Sequence, residues 1–320
     1  MIRWGIIGLG NMAMRFAKSL SYSKEGELYA IASKTKEKRN AFYEKYNCEK
    51  VYEDYDKLLN DEKLDTVYIA LPHGLHKYWS IKALRKNKAV LCEKPVGLNS
   101  EEMKEIKEEA ILNNKFFMEA MKTRFIPLIQ DIKRIIRSNE IGEITTIEAS
   151  FCNSVTEIKD GSYLLDKKQG GALLDVGIYP LSFIMDMIDS EVKAVKSNME
   201  INQAGVDSYF KAILTFQNGV TGTVEGAFDR NKERTAIIKG TKGCIEIPIY
   251  NRPSKVIVHL NESKPYTIEK ELEFDDMYAE IEEVHQCLKK SKLQSDYLSL
   301  DESIRVMEVL DEIRKVALLN

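Results

Sequence analysis

Two short stretches of the sequence carry side chains that could move a proton to or from a hydroxyl group. The first is Glu93-Lys94-Pro95, which follows the apolar run of a buried strand. Burial lowers the pKa of a lysine, and a residue before proline is held in extended backbone, which directs its side chain. Lys94 is therefore a candidate for proton transfer. The alternative is an ordinary surface lysine.

The second stretch is residues 170–180, with the sequence GGALLDVGIYP. If these residues form a helix, Asp175 and Tyr179 are i and i+4 neighbours and project from one face. A tyrosine close to a buried cation can act as an acid or a base towards a substrate hydroxyl. The alternative is a core tyrosine beside a capping aspartate.

The start of the chain has the spacing of a dinucleotide-binding turn. Residues 2–7 are mostly apolar and predict a buried strand, and Gly8, Gly10 and Ala13 follow as G-x-G-x-x-A. Gly8 permits a tight turn, Gly10 lets the backbone approach a pyrophosphate, and Ala13 lets a helix pack close to the strand. The helix N-terminus attracts the phosphates. A glycine turn without a ligand is the alternative.

The end of the second predicted strand indicates which nucleotide binds. An acidic residue normally holds the ribose 2′-hydroxyl of NAD there, but residues 29–35 contain no carboxylate. Ser33, Lys34 and Lys38 instead offer a hydroxyl and two cations, which suit a 2′-phosphate. We therefore expect NADP(H) to be preferred, with NAD(H) as a second cofactor. The alternative is that these lysines are solvated surface charges.

The pattern of strands and helices predicts two domains. Strands alternate with helices over residues 1–120, which predicts a doubly wound parallel sheet, an α/β Rossmann domain. Residues 121–320 contain strand-like runs with few helices between them and a hairpin signal at Asn218-Gly219. We expect there an α+β domain with a large, mainly antiparallel open sheet for substrate binding and oligomerisation. Its C-terminal helices could pack back on the first domain.

Composition excludes several classes of protein. The chain has 320 residues and a net charge of −3, which argues against a nucleic-acid surface. No apolar run approaches the ~20 residues that span a bilayer, and the chain opens on a strand without an export leader, so we expect no membrane partner and a cytoplasmic location. The five cysteines are scattered without metal-type spacing. We expect reduced thiols and no metal site.

Five motifs together resemble the glucose–fructose oxidoreductase/inositol dehydrogenase/MocA (Gfo/Idh/MocA) family over the whole chain. They are GLGNMA at residues 8–13, ALPHGLH at 70–76, LCEKP at 91–95, MEAMKTRF at 118–125 and GGALLDVGIYP at 170–180. The resemblance implies a Rossmann domain followed by an α+β domain. It also implies a nicotinamide that lies between the two, beside Lys94.

The resemblance assigns roles to residues of these motifs. It implies that Lys94, Asp175 and Tyr179 form the catalytic cluster. His73, Lys122 and Arg124 are candidates for substrate contact, although His73 would equally suit a loop in solvent. With the residues discussed above, the expected cofactor-binding set is Gly8, Gly10, Asn11, Met12, Ala13, Ser33, Lys34, Lys38, Leu71, Pro72, His76, Glu93 and Lys94. Within this set, His76 is either structural or on the cofactor side.

The closest resemblance is to the branch of dihydrodiol dehydrogenases and NADP-dependent xylose dehydrogenases, because Tyr179 replaces a histidine. Lys122 stands where that branch often has tryptophan, which favours a polar substrate over an aromatic diol. The expected function is an NADP(H)-dependent oxidoreductase that transfers a hydride between the nicotinamide and a carbinol or carbonyl carbon of a sugar, polyol or diol. Tyr179 would move the hydroxyl proton, Lys94 would lower the pKa of Tyr179, and Asp175 would hold the polar network.

Two other functions and one assembly remain open at this point. Some relatives cleave glycosidic bonds with an NAD that is never released, and others bind the nucleotide only to regulate. Retention of Lys94, Asp175 and Tyr179 speaks against a pure regulator. We also expect a homodimer or higher oligomer through the open sheet. The alternation of Phe210, Ala212, Leu214 and Phe216 would fit such a face or an ordinary core.

Overall fold

The computed structural model describes residues 1–155, 158 and 161–319, which form two compact units. The first unit consists of Met1–Lys122 and Glu273–Ile304, and the second of Thr123–Leu272 and the chain from Arg305 onwards. Within the described part of the chain, no helix has the length and apolar character needed to cross a membrane.

The secondary structure follows the alternation expected from the sequence. In chain order the strands are β1 (Ile2–Ile7), β2 (Gly26–Ala32), β3 (Lys50–Tyr52), β4 (Thr66–Ile69), β5 (Ala89–Glu93), β6 (Phe117–Ala120), β7 (Ile144–Cys152), β8 (Val192–Ile201), β9 (Asp207–Phe216), β10 (Thr221–Ala227), β11 (Ala236–Gly240), β12 (Gly243–Ile247), β13 (Lys255–Leu260) and β14 (Tyr266–Glu269). The α-helices are α1 (Asn11–Leu20), α2 (Lys36–Tyr46), α3 (Tyr55–Leu59), α4 (His76–Arg85), α5 (Ser100–Leu112), α6 (Pro127–Arg137), α7 (Ile178–Met187), α8 (Tyr278–Lys289) and α9 (Leu300–Leu319).

The first unit is built on a six-stranded parallel sheet in the order β3-β2-β1-β4-β5-β6. This is the strand order of a dinucleotide-binding Rossmann sheet. Every residue of β4 and β5 is buried, as expected for central strands covered on both faces. The order reverses between β1 and β4, so the loops after these strands border the crevice in which such sheets bind ligands.

The second unit is built on an eight-stranded sheet in the order β14-β13-β12-β11-β7-β10-β9-β8. β7 and β10 pair in parallel and the other neighbours pair antiparallel. The hairpin predicted at Asn218-Gly219 joins β9 to β10. Phe210, Ala212, Leu214 and Phe216 are at most 1% exposed, so their alternation marks the core of this unit and not an open apolar face.

Three local features were not predicted from the sequence. The first residue of α5 is Ser100, and the side chain of Asn99 before it caps the helix by accepting the Glu102 N–H at 3.0 Å. The helix considered for residues 170–180 is in part π-helical, over Leu173–Gly177, and becomes α-helical at Ile178. The strand β14 was not predicted, because its four residues alternate between half-buried and exposed without an apolar run.

Candidate active site

The turn after β1 has the geometry of a dinucleotide-phosphate site. Gly8 has φ of +89°, and a Cβ there would lie 2.4 Å from the Ala70 carbonyl oxygen, so only glycine fits. Gly10 precedes α1, and a Cβ at Gly10 would have no described atom within 4 Å. No side chain among the described residues caps this helix, and its first turn, Asn11, Met12 and the buried Ala13, carries no acid. An open, uncapped helix N-terminus fits a pyrophosphate.

The end of β2 contains an arginine that the sequence-based set of cofactor residues missed. Ser33 is 5% exposed and its hydroxyl accepts the Thr35 N–H, whereas Lys34 and Lys38 are exposed. The guanidinium of the half-buried Arg39 donates to the Ser33 carbonyl at 2.5 Å, which places a fixed cation beside this strand end. The available signal was its position in the first turn of α2, one residue beyond Lys38.

His76 connects the loops that follow β4 and β5. Its imidazole is fully buried, with Nδ1 2.6 Å from the Pro95 carbonyl oxygen and Nε2 2.7 Å from the Leu71 carbonyl oxygen. Burial lowers the pKa of His76 to about 4, although both carbonyls favour the protonated ring. The neutral ring donates to one of the two carbonyls and holds Leu71-Pro72 close to Lys94-Pro95. His73 is 2% exposed, so the alternative of a solvated loop histidine was wrong.

Glu93 and Lys94 end the buried strand β5 at its carboxyl end. Glu93 is 6% exposed and accepts a hydrogen bond from the Tyr68 hydroxyl. Burial raises the pKa of Glu93, while the Lys94 ammonium and the Tyr68 hydroxyl act in the opposite direction. The half-buried Lys94 thus follows a carboxyl group that is costly to ionise without a cation near it.

Lys122 lies in a buried ionic cluster of the first unit. Its ammonium pairs with Asp276, which also pairs with Arg15. Burial alone would raise the pKa of Asp276, but the two cations lower it to about 2. Glu280, four residues after Asp276 and in the first turn of α8, is 1% exposed. Neither of its carboxyl oxygens has a hydrogen-bond partner among the described residues. Burial and the charge of Glu93 raise the pKa of Glu280 well above its usual value.

The second unit holds Asp175 and Tyr179 on consecutive helical segments. Asp175 is half-buried in the π-helical segment, and Tyr179 is the second residue of α7 and 8% exposed. The Asp207 carboxylate accepts the Leu173 N–H at 2.6 Å and fixes the start of the π-helical segment. Gly171 has φ of +99°, and a Cβ there would lie 1.9 Å from this carboxylate. The glycine and Asp207 therefore position both candidate catalytic residues.

Arg124 also belongs to the second unit and is 2% exposed. Its guanidinium pairs with Asp186 at 2.5 Å and donates to the Ser182 hydroxyl at 3.1 Å. The structure thus places Lys94 and Lys122 with the first unit, and Asp175, Tyr179 and Arg124 with the second. That Lys94, Asp175 and Tyr179 act as one cluster stays a prediction, as do the substrate contacts of His73, Lys122 and Arg124.

Glu25, Glu282 and His285 bring three atoms of metal-ligand type within 4.8 Å of one another. The Trp4 indole N–H donates to His285 Nε2 at 2.8 Å, so the neutral ring carries its proton on Nδ1, which faces Glu282 at 3.2 Å. Glu25 pairs with Lys289. These contacts already use the ring nitrogens and the Glu25 carboxylate. The cluster therefore serves to attach α8 to β1.

Comparison with known proteins identifies the family. The sequence profile described as "Oxidoreductase family, NAD-binding Rossmann fold" matches residues 2–121, and the GFO/IDH/MocA C-terminal domain profile matches residues 129–246. The chain belongs to the GFO/IDH/MocA family of oxidoreductases. It is 32% identical to mouse trans-1,2-dihydrobenzene-1,2-diol dehydrogenase over 98% of this chain and 96% of that protein.

Solved structures share the fold of this GFO/IDH/MocA protein. An aldose-aldose oxidoreductase from Caulobacter crescentus superposes with a TM-score of 0.91 at 20% identity, covering 99% of this chain and 98% of the other. A 3-ketoreductase from Actinomadura kijaniata, in complex with TDP-benzene and NADP, superposes with a TM-score of 0.87 at 24% identity, covering 98% and 96%. The predicted fold class and the prediction of a nicotinamide-dependent oxidoreductase are both confirmed.

The buried pair of Lys122 and Asp276 gives a stability prediction. Replacing Lys122 with Gln removes one of the cations that pair with the buried Asp276, and we expect a loss of about 3–5 kcal/mol of unfolding free energy at pH 7. Because the folded-state pKa of Asp276 is lowered to about 2, its ionised form stabilises the protein above pH 4, and this stability is lost as the pH falls towards 2. In the variant Asp276 takes up a proton at a higher pH.

The difference in unfolding free energy between wild type and Lys122→Gln should therefore shrink as the pH is lowered from 7 to 3.5. Urea unfolding at each pH measures it. The control is Lys57→Gln, whose lysine pairs with Glu53 on the exposed surface of the same unit. We expect little effect of that change. Equal losses for the two variants would contradict a structural role for the Lys122–Asp276 pair.

Proposed function

We propose that this enzyme is an NADP(H)-dependent dehydrogenase or reductase that acts on a carbinol or carbonyl carbon of a sugar, polyol or diol. The observation that carries the proposal is the position of Lys94 at the carboxyl end of the buried strand β5, where open parallel sheets bind their ligands. The identity to dihydrobenzene-diol dehydrogenases over nearly the whole chain supports the same reaction class.

Three side chains have separate roles in the proposed reaction. Tyr179 exchanges a proton with the substrate hydroxyl, and Lys94 orients that hydroxyl and favours the ionised form of the phenol. Asp175 holds the polar contacts of these groups. The hydride chemistry is supplied by the nicotinamide when it is bound. Glu93 and Tyr68 keep Lys94 at the strand end, and Asp207 keeps the helical segments of Asp175 and Tyr179 in place.

The preference for NADP(H) is supported by the charges at the end of β2. Residues 29–35 contain no carboxylate to accept the ribose 2′-hydroxyl of NAD. The Arg39 guanidinium is fixed on the Ser33 carbonyl, and Lys34 and Lys38 add exposed positive charge around it. A guanidinium recognises phosphate oxygens in a planar, directional way. We propose that Ser33 and Arg39 bind the 2′-phosphate directly.

We further propose that two copies associate through the outward face of the eight-stranded sheet. Strand pairing aligns one row of outward side chains across this face. The row consists of Lys196, Ile213, Thr223, Glu148, Ile237, Glu246 and Ile257. Three isoleucines interleaved with polar side chains suit the mixed surface of a symmetric interface. Ile213 is 43% exposed in the single chain.

The cofactor proposal predicts a tighter complex with NADPH than with NADH, by roughly tenfold or more. Arg39→Gln should weaken NADPH binding by a similar factor and leave NADH binding unchanged, and Ser33→Asp should reverse or erase the preference. Calorimetric titration measures all of these affinities. Lys45→Gln, near the far end of α2, is the matched control and should change neither. Equal affinities for the two cofactors in the wild type would refute the proposal.

The catalytic proposal predicts that Tyr179→Phe lowers turnover by roughly 10²–10⁴-fold and leaves NADPH affinity nearly unchanged. Lys94→Ala should cost at least as much, and the double variant should lose little beyond the worse single one, because the pair acts as a unit. Tyr209→Phe, a half-buried tyrosine of the same unit, is the control. Retention of turnover and of the basic limb of the pH–rate profile in Tyr179→Phe would exclude Tyr179 as the acid/base.

The assembly proposal predicts a particle of twice the 36.7 kDa chain mass in light scattering. Ile213→Glu should yield the monomer, because it replaces an exposed apolar side chain of the outward row with a charge. Leu112→Glu, at the exposed end of α5 in the first unit, is the control and should leave the dimer intact. A wild-type monomer independent of concentration would rule out the dimer.

A further inference from the structure

One arginine of the second unit differs from its neighbours in having no carboxylate partner in the described part of the chain. Arg234 is half-buried, its Nη2 lies 3.4 Å from the Asn153 side-chain oxygen, and its guanidinium lies over the Phe151 ring at 4.2 Å. Among the described residues no acid pairs with it. On the same loop, Arg230 pairs with both Asp229 and Glu200, and Lys232 pairs with Glu225.

A second cation lies close to Arg234. The Tyr250 N–H donates to the Arg234 carbonyl at 3.1 Å, which brings the segment carrying Arg252 alongside. Burial, and then the charge of Arg252, lower the pKa of Arg234. Two guanidinium groups on neighbouring segments raise the local positive potential, which attracts an anion. Arginine is the side chain that binds carboxylate and phosphate groups in a bidentate way.

The Phe151 ring contacts both the Arg234 guanidinium and the proposed acid/base, Tyr179. The Arg234 guanidinium lies over the Phe151 ring. The same ring contacts the Tyr179 ring, with centroids 5.4 Å apart and planes at 42°. Arg234 is within electrostatic range of both Tyr179 and Tyr250. A molecule whose hydroxyl is at Tyr179 would therefore have its neighbouring substituent beside Arg234.

One buried polar atom beside Arg234 lacks a partner within the described chain. The Tyr250 hydroxyl is fully buried and makes no hydrogen bond to any described residue. The Tyr250 ring is held against Phe183, with centroids 5.1 Å apart. Buried polar groups in native proteins are almost always hydrogen-bonded, and a phenol hydroxyl can donate to an anion, so this hydroxyl can serve a bound carboxylate or phosphate.

We propose that Arg234, with Arg252 and Tyr250 beside it, forms a subsite for an anionic group of the substrate, a carboxylate or a phosphate. The proposal rests on the function proposed above, in which Tyr179 acts at the reacting hydroxyl. It narrows the substrate class to acidic sugars or sugar phosphates. Arg234 would orient the substrate through its anionic end and so select among molecules with the same reacting carbon.

The test compares three ligands that differ in a single substituent: glucose, glucuronate and glucose 6-phosphate. Each is titrated calorimetrically into enzyme saturated with NADPH, in a phosphate-free buffer. At least one of the two anions should bind roughly tenfold or more tightly than glucose. Arg234→Gln should abolish that advantage and leave glucose binding within about twofold, since it removes only the charge-assisted contact. The two anions separate a carboxylate subsite from a phosphate subsite.

Two further variants keep the result interpretable. Arg234→Lys retains a charge and should keep part of the advantage even if Arg234→Gln fails to fold. Lys232→Gln removes a neighbouring cation that already pairs with Glu225, and it should leave the advantage intact. Equal binding of all three ligands, or an advantage that survives in Arg234→Gln, would overturn the subsite.

Turnover measurements separate failure of the subsite from failure of the proposed function. Oxidation or reduction of neutral sugars without any preference for anions would remove the subsite and leave the proposed function standing. Anion binding that depends on Arg234, without a change in NADPH absorbance for any sugar, polyol or diol in the presence of NADPH or NADP, would retain the binding site and refute the function.

Discussion

The turn after β1 lies close to the end of β4, and this contact fixes the position of the loops at the expected cofactor site. Gly8 lies so near the Ala70 carbonyl that a single added carbon would overlap it. The next residue along the chain, Leu71, offers its carbonyl to His76, and the same imidazole faces the carbonyl of Pro95. The turn therefore packs against the end of β4, and one imidazole joins the loop after β4 to the residue after Lys94. A shift in one of them would strain the others.

Much of the fold could be predicted because its determinants are local. Most parallel strands of the first unit are short apolar runs bounded by turn residues, as in β4 and β5. The π-helical segment could not be predicted in this way. The contact that fixes its start is tertiary, the Asp207 carboxylate on the Leu173 N–H, made by a residue 34 positions away in the chain. The exposed residues of β14 likewise gave no hydrophobic signal.

The sequence located the candidate catalytic residues through motifs but could not find the residues that support them. Arg39 and Arg234 are two charged residues among many in the sequence. Only the structure distinguishes them, the first by its bond to the Ser33 carbonyl and the second by the Phe151 ring beneath it and the lack of an acidic partner among the described residues. Glu280 was missed for a related reason, since a carboxyl group near the start of a helix is normally exposed, yet here it is buried. Burial and pairing are properties of the folded chain.

The edge strands of the eight-stranded sheet determine whether copies of the protein can pair strand to strand. Its edge strands leave backbone N–H and C=O groups on one side, which would be a template for another strand. On β8, Lys193 and Lys196 are exposed, and an added strand would have to displace water from both ammonium groups. On β14 the edge is only four residues long and carries Glu269, which pairs with Lys255. The sheet is thereby protected against growth by strand addition, the first step towards fibrils, although it is open and large.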